Sequence, residues 1–168
     1  MGNLWYDDGT KTQFSATPTV TSITFGSGTA LSTYQQGTFT PALSIGGSST
    51  GITYSTQSGE YTQIGNVVYF AIKFVLSSTN SLTGAVLITG LPVAAASAFN
   101  TSSSVAEFGN ITLTALYSGL YVQIPAGTSM SLNQVGSGQA QTSFSQGSGA
   151  ALIANNGVLI FNGFYFTS

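Results

Sequence analysis

An all-β body, a sandwich or barrel of short antiparallel strands, is what the sequence predicts, and three observations predict it. Short runs rich in Val, Ile, Thr, Phe and Tyr recur along the chain, and β-branched and aromatic side chains suit the half-buried, pleated surface of a sheet. Clusters of Gly, Ser and Asn punctuate those runs in the manner of turns. No apolar pattern of helical period extends over a useful length.

Taken in order, residues 1–19 read as an N-terminal arm and residues 20–168 as the β-body. The arm holds the only Trp, Trp5, beside Tyr6, Asp7 and Asp8. Large aromatic area with a polar handle, next to two carboxylates, makes Trp5, Tyr6, Asp7 and Asp8 a candidate anchor on a partner. Strands are then predicted over Val20–Phe25, Gly37–Ile45 and Gly51–Thr56, with turns at "GSGTA" and "GGSST" between them. Further strands are predicted over Asn66–Leu76 and Gly84–Pro92, and "VAAASAF" at Val93–Phe99 reads as one helical turn. Next come Val105–Phe108, Ile111–Tyr117, Leu120–Ile124, Thr128–Val135, Gln139–Phe144 and Gly157–Phe166, with Ser118-Gly119 suiting a tight hairpin.

Two of these runs are apolar on both faces. Successive side chains of a strand point to opposite sides. Asn66–Leu76 therefore sets Val68, Phe70, Ile72, Phe74 and Leu76 against Val67, Tyr69, Ala71, Lys73 and Val75. In the last strand Val158, Ile160, Phe164 and Phe166 oppose Leu159, Phe161 and Tyr165. A single two-layer sandwich covers only one side of each sheet, and apolar patches beyond a few hundred Å² are rare on monomers. Either a second copy covers the other side, or loops and the arm fold over it. The candidate subunit-interface residues are Tyr69, Val75, Leu159, Phe161, Phe164, Tyr165 and Phe166.

Composition narrows the function. Only 4% of the 168 residues are charged, against about 25% in ordinary soluble domains, so little self-repulsion opposes association. A formal net charge of −2 gives a polyanion no basic footing, so no nucleic-acid partner is expected. The longest apolar run, Val67–Ile72, is far short of the roughly 18 residues of a spanning helix, and no membrane insertion is expected. Mean hydropathy of +0.30 and 12% aromatic residues are foreign to disordered chains.

Catalytic chemistry finds few residues. The chain contains no Cys and no His, which removes thiolate sites and the commonest general base and metal ligand. No catalytic, metal or cofactor site is predicted. "YDDGT" lacks the acidic spacing of a calcium loop, and the glycines form no phosphate loop. Lys73, Glu60 and Glu107 are the charged residues beyond the arm, and they form a possible ion pair or, for the glutamates, a bare glycosidase pair. Aromatic candidates for gripping a glycan are Tyr34, Tyr54, Phe99 and Tyr117.

From Leu31 to about Pro92 the order of motifs is more specific. Tyr34 precedes Gly37-Thr38-Phe39-Thr40-Pro41; Gly51-Ile52-Thr53-Tyr54 and Gly59-Glu60-Tyr61-Thr62-Gln63-Ile64-Gly65-Asn66 follow; then Val67-Val68-Tyr69-Phe70 and Ile88-Thr89-Gly90-Leu91-Pro92. This stretch resembles a module of bacteriophage tail fibres and related virion proteins, with Gln35 and Gln36 where that module carries acidic residues. The resemblance implies a homotrimeric, non-enzymatic β-sandwich of jelly-roll type, assembled in the host cytoplasm and displayed on a virion, with loops at one end free for a host-surface glycan. It also implies other phage structural proteins as partners: a tail adaptor for a fibre, or the major capsid protein for a decoration or cement protein of the head. A polysaccharide-cleaving tail protein is the rival from another class.

Overall fold

The computed structural model describes residues 5–7, 12–14, 27–28, 31, 33–96, 101–147 and 152–168. Two compact units are distinguished, Met1–Thr33 and Tyr34–Ser168. In the first, β1 (Trp5–Asp7) pairs antiparallel with β2 (Thr12–Phe14), Trp5 lying opposite Phe14. Trp5, Tyr6 and Asp7 thus belong to one strand of a small ladder. Asp8, the expected Val20–Phe25 strand and the expected boundary at Thr19 lie outside the described residues.

The second unit is all-β and antiparallel, consistent with a sandwich. Its strands are β3 (Tyr34–Phe39), β4 (Ala42–Ile45), β5 (Thr53–Ile64), β6 (Val67–Ser78), β7 (Gly84–Thr89) and β8 (Thr101–Thr112). β9 (Gly119–Ile124), β10 (Ser129–Val135), β11 (Thr142–Ser143), β12 (Ser145–Gln146) and β13 (Leu152–Phe166) complete it. One layer runs β3–β5–β6–β13–β8, and the hydrogen-bonded path continues β8–β9–β10–β7 into the other. β8 serves both layers: Thr101–Ser104 pair with β9, while Val105 and residues 107–112 pair with β13.

Several boundaries differ from the sequence reading for identifiable reasons. The Gly37–Ile45 run breaks at Thr40-Pro41, because Pro has no N–H for a ladder; β3 then pairs with β5 and β4 with β7. Val105–Phe108 and Ile111–Tyr117 are not two strands. The first and the start of the second belong to β8, whose Asn110 takes φ 53° at an irregularity opposite β13. Ser118-Gly119 makes no tight hairpin, since β9 meets only the first residues of β8. Val93–Ala96 form no helical turn: Ala95 exchanges backbone hydrogen bonds with Gly127, and the Ala96 N–H donates to the Phe166 carbonyl. The Gln139–Phe144 run is shorter and split. Phe144 inserts between β10 and β7, its N–H donating to Leu132 O and its carbonyl accepting from Val86 N–H.

The core lies between the layers. β6 alternates buried and outward residues along its length, sending Val68, Phe70, Ile72, Phe74 and Leu76 inward. From β13, Leu159, Phe161 and Tyr165 join them, and Phe70 packs edge-on to Phe161 with ring centroids 6.2 Å apart. Ile88, Val122 and Leu132 face them from the opposite layer within the same cluster. The buried Gln146 both donates to the Ile153 carbonyl and accepts from its N–H, whereas Thr101 Oγ1 is buried without a partner.

Candidate functional site

What positions the outward side of the first layer is the ladder register of β3, β5, β6, β13 and β8. The Gly65-Asn66 turn fixes the β5–β6 register. Gly65 sits at φ 59°, a conformation glycine adopts without strain. Cross-strand rows follow directly. Tyr34, Ile64, Val67 and Phe166 form one; Gln36, Thr62, Tyr69 and Phe164 the next. Thr38, Glu60, Ala71 and Asn162 form a polar row, and Ser58, Lys73, Ile160 and Glu107 a charged one. Thr56, Val75 and Val158 close the face.

The first row and the Tyr69–Phe164 half of the second are apolar, and Tyr34, Ile64, Tyr69 and Phe164 among them are open. Tyr69 is 51% exposed and Phe164 47%, their ring centroids 6.2 Å apart, and Phe164 meets Phe166 edge-on at 5.8 Å. Tyr34 and Ile64 are exposed beside them. A shallow groove of about 580 Å³ crosses this region, between Gln36, Thr38, Glu60, Thr62 and Tyr69.

Of the expected interface residues, Tyr69, Val75, Phe164 and Phe166 stand on this outer face. Leu159, Phe161 and Tyr165 do not. They are fully buried in the core of their own chain, because β13 pairs Phe161 with Ile72 and Tyr165 with Val68, both inward residues of β6. The Tyr165 hydroxyl donates to the Val93 carbonyl at 2.8 Å, and burial pushes its phenol up to about 12. Ile64, Val67, Val158 and Ile160 belong to the outer face and were missed. The available signal was Asn162, a polar residue on the same side of β13 as Phe164, just as Lys73 marks the outward side of β6.

Lys73, Glu60 and Glu107 share this face. Lys73 lies opposite Ser58 and Ile160, Glu60 is diagonal to it on β5, and Glu107 stands beyond Ile160 on β8. Among the described residues no ion pair joins them. Three strand spacings separate the two glutamates, about 14 Å of backbone, wider than the roughly 5–10 Å between the carboxyls of glycosidases. Among the described residues no cluster of His, Cys, Asp and Glu could hold a metal, and no helix is long and apolar enough to cross a membrane.

The aromatic residues proposed for a glycan are dispersed. Tyr34 is exposed and donates to Gln36 Oε1 at 3.1 Å. Tyr54 is half-buried against Phe74, its hydroxyl accepting the Leu43 N–H at 2.8 Å; burial raises its phenol pKa. Tyr117 donates to the Ala140 carbonyl at 3.0 Å, and Phe99 lies outside the described residues.

The fold has a counterpart of known context. The chain is similar to the Dettilon tailspike protein, with 22% sequence identity and a TM-score of 0.63. It shares the fold. The match covers 79% of this chain and 24% of the tailspike, so the chain spans about a quarter of that protein's length. No family model matches the chain, and no curated protein matches it.

Proposed function

We propose that the chain is a non-enzymatic structural component of a phage virion, associated with the tail, whose copies assemble through the outer face of the first layer into a homotrimer. The observation that carries this reading is a tailspike-like fold whose outer sheet face leaves Tyr69 and Phe164 half-exposed side by side. A ring pair in that position gains from being covered, because each Å² of apolar surface removed from water contributes about 25 cal/mol. The motif order from Tyr34 to Pro92 supports the same assignment. Trp5, Tyr6, Asp7 and Asp8 serve as the attachment to the rest of the tail.

Gold-labelled antibody against the protein tests both parts on purified particles. Label at the tail is expected, and its loss is expected when residues 1–14 are deleted. Label spread over the head shell would overturn the tail assignment, and truncated protein that still loads would overturn the anchor.

A further inference from the structure

The unit Tyr34–Ser168 has only Glu60, Lys73 and Glu107 as charged side chains, and all of them stand on one face of one sheet. Elsewhere the surface manages without charge. The outward side of the second layer carries Thr89, Tyr121, Gln123, Ser129 and Ser131 along its ladders. Charges retained for solubility would be dispersed, or placed where no apolar residue needs covering. Here they occupy the two rows that follow the exposed rings of Tyr69 and Phe164 on the same face, in mixed sign, with no ion pair between them among the described residues.

A neighbour that covers the apolar rows and extends across the next two rows also removes water from Glu60, Lys73 and Glu107. A desolvated charge without a partner is costly, whereas complementary charges across an interface fix register and reject wrong pairings. A face that carries both a cation and carboxylates can complement another copy of itself. We propose that in the assembled protein Lys73 of one copy pairs with Glu60 or Glu107 of the partner subunit, and that this contact sets how the copies align. The inference rests on the proposed self-association through this face, and the occupant it commits to is a second copy of the chain.

Sedimentation velocity of the full chain across a dilution series tests it. Wild type should be assembled, and K73E, which leaves three carboxylates on the face, should need at least about tenfold higher concentration to assemble. K73M, which removes the cation alone, should shift in the same direction. The full reversal E60K/K73E/E107K should return assembly to within about threefold of wild type. Lys73 is exposed, so circular dichroism of each variant should match wild type. Assembly of K73E and K73M at wild-type concentrations, or a folded reversal variant that stays dissociated, would overturn the pairing while leaving self-association standing. A wild-type protein that is monomeric throughout would overturn self-association itself.

Discussion

Phe161 and Phe164 are near neighbours on β13 facing opposite ways, and replacing each with Ala should disturb different equilibria. Phe161 is fully buried between the layers. Removing its ring leaves a cavity and should cost about 3–5 kcal/mol of protomer stability. Phe164 is 47% exposed, so of roughly 200 Å² of aromatic surface about half is available for a neighbour to cover. At about 25 cal/mol per Å² that is ~2.5 kcal/mol of association free energy per ring, or nearly two powers of ten in Kd. Its buried half makes F164A cost the protomer about half of what F161A costs. Equilibrium sedimentation would read the association and urea unfolding at high dilution the protomer. F164A should separate copies that remain folded, whereas F161A should lower the unfolding midpoint more. If F164A associates within about threefold of wild type, the outer face is not where copies meet.

Gly59 lies opposite Phe39, and a Cβ there would fall 2.7 Å from the Phe39 ring. G59A should therefore displace a ring that packs edge-on to Tyr61 at 6.3 Å, at about 1–3 kcal/mol; a loss in chemical unfolding below about 0.5 kcal/mol would show the ring is not held there. The pH response follows from the phenols. With no His and only four carboxylate side chains, stability should be flat from about pH 5 to 9. Burial raises the phenol of Tyr54 and pushes that of Tyr165 up to about 12, above the ordinary value near 10. A raised folded-state value contributes stability in full below the unfolded value, and that stability is lost as pH rises from about 10 through 12. A melting temperature moving more than about 8 °C between pH 5 and 9, or failing to fall between pH 10 and 12, would contradict this.

Fold class was legible in the sequence because strand composition and turn residues are local signals. What was not legible is parity. Val158, Ile160, Phe164 and Phe166 are as apolar as Leu159, Phe161 and Tyr165; Asn162 is the single local cue between them, and pairing with β6 decides which set is inside. A shift of one residue would exchange the two sets, so a non-local register governs which residues are available as an interface. The strand that is apolar on both sides by composition proves strictly alternating in burial, since Tyr69, Ala71 and Lys73 tolerate water where Phe and Leu do not. Tight-turn reasoning failed at Ser118-Gly119 for a similar reason. β8 is long enough to turn from one layer into the other, and the partner of β9 lies far upstream of the presumed hairpin.

Scarcity of charge gives the two outer faces different meanings. On the second layer, hydroxyl and amide side chains such as Ser129, Ser131 and Gln123 meet water without requiring an opposite charge, beside the exposed aliphatic side chains of Leu87 and Val135. On the first layer, aromatic rings sit half-exposed on the same face as charges of both signs that no ion pair joins among the described residues. Each feature alone is tolerable on a monomer: isolated rings are common at surfaces, and exposed ion pairs contribute little. Their conjunction on one sheet, in a unit with no other charged side chain, is what distinguishes this face. The rings supply area, which is indifferent to alignment; the charges supply a penalty for misalignment, which area cannot. In the proposed assembly, the two together would hold the copies in a single orientation.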